Sequence, residues 1–172
     1  MTVPFISEQI IDSITEALDN EENSYDEALE ALDNEGNSYD KAIGALQAKQ
    51  PILFSYLLSE SFKLLTVEES EYLLYLALVI WKAVDVEAKE MPILDSEKIE
   101  EAEERNWTLF NETSARKFND KLDVFFDKYP QEDLLAFVED ALVDDEDSFV
   151  TKEGKELLFI GLRTTIDALC GI

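Results

Sequence analysis

The stretch from Tyr72 to Trp81 is apolar or aromatic throughout, and it constrains the fold more than any other part of this chain. Thr66 and Glu69 stand just before it in the capping-box pattern that begins a helix. A helix that is apolar on every face is stable in water only when other helices surround it. The sequence therefore predicts a central core helix from Thr66 to about Ala88, with further helices packed around it.

Residues that form turns are scarce, since the 172 residues include only five Gly and four Pro. All-β folds need many turns, so this scarcity favours helices. The length suits one domain. We therefore predict an all-α fold, a compact bundle of about seven to eight helices in a single domain that spans residues 1–172.

Capping residues and periodic apolar positions predict where the other helices begin and end. The first predicted helix starts at Ser7. Five others run from Pro51 to about Leu65, from Ser96 to about Phe110, from Ser114 to Lys128, from Pro130 to about Val143, and from a cap at Thr151 to about Leu169. Gly171 lies just beyond the last of them.

Two internal repeats are visible. Residues 17–46 contain a nearly perfect tandem repeat of fourteen residues, in which each unit reads as a turn followed by a short helix capped by Ser24 or Ser38. Weaker similarity between residues 39–88 and 118–171 predicts a duplicated three-helix unit. The alternative is that any two sets of capped amphipathic helices align this well at their best offset.

Acidity is the most unusual property of the composition: 40 Asp and Glu face 14 Lys and Arg, for a formal charge of -26. Neutralising phosphates requires clustered Lys and Arg, so we expect neither nucleic acid nor membrane as a partner. Such a surface attracts basic proteins by long-range steering. The alternatives are that the charge serves solubility alone, or that it reflects adaptation to high salt.

Several features predict a cytoplasmic protein. The first twenty residues contain no Lys or Arg, whereas a secretory signal has a basic start. The longest apolar run is far shorter than the roughly 20 residues that cross a bilayer. Cys170 is the only cysteine, so no internal disulfide can form. The oligomeric state is not indicated.

Catalytic patterns are missing from the sequence. The chain has no His, which is the commonest general base and nitrogen ligand. It has no Gly-framed nucleophile and no Gly-rich phosphate loop. Trp81 and Trp107 fall at helical spacing among apolar residues, which is typical of a core. We therefore expect no catalytic residues and no cofactor, which favours a protein that is not an enzyme.

One segment has the spacing of a calcium-binding loop. Counting Asp19 as the first position, oxygen ligands fall at Glu21, Asn23, Glu27 and Glu30. The position that requires Gly is a Ser, however, and the second repeat unit lacks the closing Glu. We therefore expect no metal here. The alternative is that residues 19–30 bind calcium.

The helix predicted from Ser96 carries a cluster of acids: Glu97, Glu100, Glu101, Glu103 and Glu104. Paired carboxylates on helices hold metals in some all-α enzymes, which gives an alternative function, a carboxylate-metal-dependent hydrolase of a phosphorylated small molecule. In a chain this acidic such pairs also arise by chance, and a run of charge is usually a solvated face.

The leading hypothesis is a non-enzymatic acidic helical interaction protein that binds a basic protein, in the manner of inhibitor or immunity proteins or DNA mimics. The candidate protein-binding residues lie in two acidic runs, one on the predicted helix and one in a loop: Glu100, Glu101, Glu103 and Glu104, and Asp144, Asp145, Glu146 and Asp147. A dense acidic face would favour a basic partner, and an inward acidic cluster would favour a metal enzyme.

Overall fold

A computed structural model describes residues 3–23, 38–143 and 148–172. Within these ranges it contains eight α-helices and no strand, which confirms the predicted all-α bundle. The helices are α1 (Glu8–Asn23), α2 (Ser38–Lys49), α3 (Pro51–Leu57), α4 (Val67–Glu87), α5 (Ser96–Glu112), α6 (Phe118–Phe126), α7 (Glu132–Leu142) and α8 (Lys152–Cys170). A short 3-10 helix, Glu60–Phe62, follows α3.

Two long helices, α4 and α8, form the centre of the bundle. The predicted core helix is confirmed, because Leu73 and residues 76–81 of α4 are buried between α1, α2 and α8. Residues 158–167 of α8 are buried as well, against α4, α5 and α7. The sequence does not show that α8 is central, because Arg163 and Asp167 interrupt its apolar pattern.

One buried carboxylate joins the N-termini of α4 and α8. The Thr66 hydroxyl accepts from the Glu69 N–H (3.1 Å) and Glu69 Oε1 accepts from the Thr66 N–H (2.9 Å), which confirms the predicted capping box. Glu69 Oε2 also accepts from the backbone N–H (2.7 Å) and the hydroxyl (2.9 Å) of Thr151, the cap of α8. The positive ends of two helix dipoles therefore share one negative charge.

The predicted helix from Pro51 to Leu65 is wrong in length, because α3 ends at Leu57. The Ser59 hydroxyl accepts a hydrogen bond from the Ser61 N–H (3.4 Å) and starts the 3-10 helix. Serine side chains that bond nearby backbone groups compete in this way with continued helix. The turn brings Phe62 into the core.

Other predicted boundaries also shift where side chains cap or hold the backbone. Asp95, and not Ser96, caps α5, because its Oδ1 accepts from the Lys98 N–H (2.8 Å) and a carboxylate favours a helix N-terminus.

The two predicted starts at Ser114 and Pro130 move to Phe118 and Glu132. Before α6, the Thr113 hydroxyl accepts from the Ala115 N–H (3.3 Å) in an extended connection. Before α7, the side chain of Gln131 bonds the backbone of Pro4 and Ile6. At the C-terminus of α8, Gly171 lies just beyond the helix as predicted, and it adopts a left-handed conformation with φ 70°.

The domain and repeat assignments stay predictions. Residues 39–88 and 118–171 each hold three α-helices with the longest one last, as a duplicated unit requires. Much of the tandem repeat, residues 24–37, lies outside the described residues. In the parts of the chain that are described, no helix is long and apolar enough to cross a membrane.

Candidate functional site

Helix α5 has one buried and one acidic face. The buried face packs against α3 and α8 and consists of Ile99, Ala102, Asn106 and Phe110. The exposed surface includes Glu97, Glu100, Glu101 and Glu104, which follow the spacing i, i+3, i+4, i+7, and also Lys98 and Arg105. Like charges at this spacing repel, and within the described residues no Lys or Arg forms an ion pair with them. Three predicted binding residues, Glu100, Glu101 and Glu104, thus lie together on an unpaired acidic surface.

The fourth predicted residue on this helix, Glu103, has a different environment. It is half-buried, and its Oε2 accepts a hydrogen bond from the Tyr56 hydroxyl at 2.5 Å. Burial raises the pKa of Tyr56, and the hydrogen bond and charge of Glu103 raise it further. The phenol therefore remains a donor at neutral pH and holds α3 against α5.

An open groove of about 460 Å³ lies between α3 and α5, and we call it the acidic groove. Its carboxylates are Glu60, Glu100 and Glu103, its apolar walls are Ile52 and Ile99, and its hydroxyl groups include Ser55, Ser59, Ser61 and Ser96. No Lys or Arg is among the described residues that line it. Its volume is in the range of ligand sites, and its chemistry suits a cationic group carried on an apolar stem, such as a Lys or Arg side chain.

The other predicted binding residues, Asp144, Asp145, Glu146 and Asp147, lie outside the described residues. The side chains of the calcium-loop pattern at residues 19–30 also lie outside the described part of the chain. Of the two predicted acidic runs, only the one on α5 is therefore placed on a surface.

The carboxylates of α5 do not form a metal centre with other helices. Across residues 3–23, 38–143 and 148–172, no group of three or more His, Cys, Asp or Glu side chains is arranged to hold a metal ion. The alternative hydrolase stays a prediction that no group of the described residues supports.

A second acidic pocket, between α1 and α7, was not found by sequence analysis. It is lined by Glu8, Asp12, Asp133 and Asp140, and the Glu8 N–H donates to Asp133 Oδ2 at 3.0 Å. These acids are far apart in the sequence, so only folding brings them together. The pocket measures about 130 Å³, well below the roughly 300 Å³ at which ligand pockets begin.

A buried polar cluster lies around Asp167, which is 1% exposed. Its carboxylate accepts hydrogen bonds from the Tyr129 hydroxyl, from Asn106 Nδ2 (3.1 Å) and from Arg163 Nε (3.1 Å). Arg163 Nη1 donates to the carbonyl oxygen of Phe125 (2.9 Å). A buried ion pair is tolerated when its remaining donors and acceptors are satisfied in this way.

The cluster around Asp167 links the helices that pack around it. Burial raises the pKa of Tyr129, and the charge of Asp167 raises it further, so the phenol remains protonated. The hydrogen bonds join α5, the end of α6 and α8. In the sequence, only the i, i+4 spacing of Arg163 and Asp167 indicates this cluster. Such pairs are common on exposed helices, so the spacing does not predict a buried pair.

No protein-family model, no curated protein and no solved structure matches this chain. The chemistry of the described surfaces is therefore what supports a functional proposal.

Proposed function

We propose that the protein is a non-enzymatic binding protein that captures a basic protein through the acidic groove and the adjoining face of α5. The observation that carries this proposal is the convergence of Glu60, Glu100 and Glu103 beside apolar walls, with no basic residue in the lining. A Lys or Arg side chain of the partner would gain charge-assisted hydrogen bonds there. Its methylene stem would pack against Ile52 and Ile99.

The surroundings of the groove support the same partner chemistry. Ile52 and Leu58, on and just after α3, are 38% and 58% exposed and offer apolar contact area beside the carboxylates. Protein interfaces commonly combine an apolar centre with a polar rim. The net charge of -26 would steer a basic partner toward this surface and speed its association at low salt. A cytoplasmic location, where the single buried Cys170 stays reduced, belongs to this proposal.

The test compares two variants with the same net charge. One replaces the three groove carboxylates by Glu60→Gln, Glu100→Gln and Glu103→Gln. The control replaces three exposed acids that do not line the groove, by Glu16→Gln, Glu71→Gln and Glu112→Gln. Tagged forms of both variants and of the unaltered protein are used to capture basic proteins from a cell lysate at low and moderate salt.

We expect the groove variant to lose capture of the basic protein by about tenfold or more, while the control retains it. Capture by the unaltered protein should weaken steeply as salt rises, because the screening length falls to about 8 Å near 0.15 M. Equal loss in both variants would show that net charge alone attracts the captured proteins. Absence of any salt-sensitive basic protein would leave solubility as the role of the acidity.

A further inference from the structure

A second groove, between α1, α2 and α4, has the opposite charge to the rest of the protein. It measures about 550 Å³, and the described residues that line it include Lys41, Lys49 and Lys82 and one carboxylate, Asp85. We call it the lysine groove. Three of the 14 basic residues thus meet at one place in a chain with 40 acids. The groove is not visible in the sequence, because Lys82 joins the two lysines of α2 only through the packing of α2 on α4.

Two lysines of this groove, Lys49 and Lys82, are only partly neutralised by the described residues. Lys49 Nζ lies 3.5 Å from Asp85 Oδ2, and its side chain is 61% exposed. Lys82, one turn before Asp85 on α4, is half-buried and has no ion-pair partner within the described residues. An anion that enters the groove therefore meets at least one ammonium group that no described carboxylate engages.

Trp81 in the wall of this groove has an unsatisfied donor. The residue is only 2% exposed, and its indole Nε1 has no hydrogen-bond acceptor. In the described part of the chain, it is the only buried side-chain nitrogen or oxygen without a partner. A buried indole N–H normally finds a partner, but this one is itself buried, so a molecule in the groove would lie against the ring and not against the N–H. Lys49 Nζ lies 5.8 Å from the centre of the same ring.

We propose that the lysine groove binds a small organic anion, an apolar body that carries a carboxylate, sulfonate or phosphate group. The anionic oxygens lie between Lys49 and Lys82, beside the ring of Trp81 in the groove lining. The apolar body packs against Ile14 and Ala45. The volume falls within the range of small-molecule sites. The groove shares no lining residue with the acidic groove, so this proposal is independent of the proposed function.

The probe is anilinonaphthalene sulfonate, an aromatic anion whose fluorescence rises on binding, together with its uncharged parent, phenylnaphthylamine. Lys49→Gln and Lys82→Gln each remove one charge from the groove. Lys63→Gln removes the same charge from an exposed position outside it. We expect each groove variant to bind the sulfonate about tenfold more weakly, the loss of one charge-assisted hydrogen bond. The control variant should bind it like the unaltered protein, and the uncharged dye should not distinguish the three variants.

Proton–nitrogen correlation spectra locate the bound probe directly. We expect the indole N–H signal of Trp81 to shift during the titration and that of Trp107, which does not line the groove, to stay in place. Trp107→Phe assigns the two signals. The proposal is overturned if Lys63→Gln weakens binding as much as the groove variants do, or if the Trp81 signal does not move. Two separate groove variants, each checked for native circular dichroism, keep the test valid if one of them fails to fold.

Discussion

Glu69 shows how much of this bundle depends on one side chain. It is fully buried and accepts hydrogen bonds from the backbone N–H groups of Thr66 and Thr151 and from the Thr151 hydroxyl. Burial by itself raises the pKa of this carboxyl, but the hydrogen bonds outweigh burial and bring the pKa below its ordinary value of 4.5. The carboxylate is therefore held in its charged form where α4 and α8 begin.

The pH dependence of stability follows from that lowered pKa. Because the pKa is lower in the folded than in the unfolded chain, the stabilisation is fully present above about pH 4.5 and is lost as pH falls through the folded value. We expect Glu69→Gln to lower the free energy of unfolding at pH 7 by about 1–3 kcal/mol, since charged hydrogen bonds are lost. Urea unfolding between pH 3 and pH 7 should show the gap between variant and unaltered protein closing toward acid. A gap that does not change with pH would contradict this account.

Two helical glycines should respond in opposite ways to the same substitution. A Cβ at Gly154 would collide with the Glu69 carboxylate, whereas a Cβ at Gly44 in α2 would meet nothing within 4 Å. We expect Gly44→Ala to stabilise by about 0.5–1 kcal/mol, the usual gain for Ala over Gly in a helix. Gly154→Ala should destabilise by more than that gain, because the carboxylate must leave both caps. Thermal unfolding of the two variants is the measurement, and stabilisation by Gly154→Ala would refute the shared-cap geometry.

At the scale of elements, α4 and α8 should behave as one cooperative unit. We expect residues 73–84 and 158–167 to be the most protected in hydrogen exchange, because both segments are buried and contact each other. Leu76→Ala should cost about 2–5 kcal/mol by opening a core cavity. Leu58→Ala, at a position that is 58% exposed, should cost less than about 0.5 kcal/mol. Fast exchange in either helix would show that this helix is not central.

Patterns within single helices were predictable from sequence, while surfaces built by several helices were not. The capping box at Thr66 and the burial around Leu76 depend on neighbours within a few turns, so the sequence shows them directly. The placement of Glu103 against Tyr56, by contrast, depends on how α3 packs on α5. Helix boundaries were missed where a competing side chain, such as Ser59, bonds the local backbone.

Charge is the property that belongs to the whole molecule. Acids occupy the exposed face of α5 and also the pocket between α1 and α7, so the acidity is not confined to the proposed binding groove. Neighbouring acids also affect single residues. Burial raises the pKa of Glu139, and the negative charges of Asp140 and Asp123 raise it further. A raised pKa means that the charged form of the carboxyl group is less favourable in the folded chain than in the unfolded chain. At the scale of the whole molecule, the net charge of -26 predicts that the folded protein repels itself at neutral pH.

This self-repulsion predicts that salt stabilises the fold. We expect the free energy of unfolding to rise between very low salt and about 0.15 M, where the screening length shrinks to about 8 Å. The Glu60→Gln, Glu100→Gln, Glu103→Gln variant has three fewer negative charges and should gain less from the same salt. Thermal unfolding in NaCl, MgCl₂ and CaCl₂ at matched ionic strength separates screening from binding, because a ligand specific to the folded state stabilises it beyond screening. Screening predicts equal curves for the three salts. An additional rise with calcium alone, abolished by Glu30→Gln, would instead identify residues 19–30 as a calcium site.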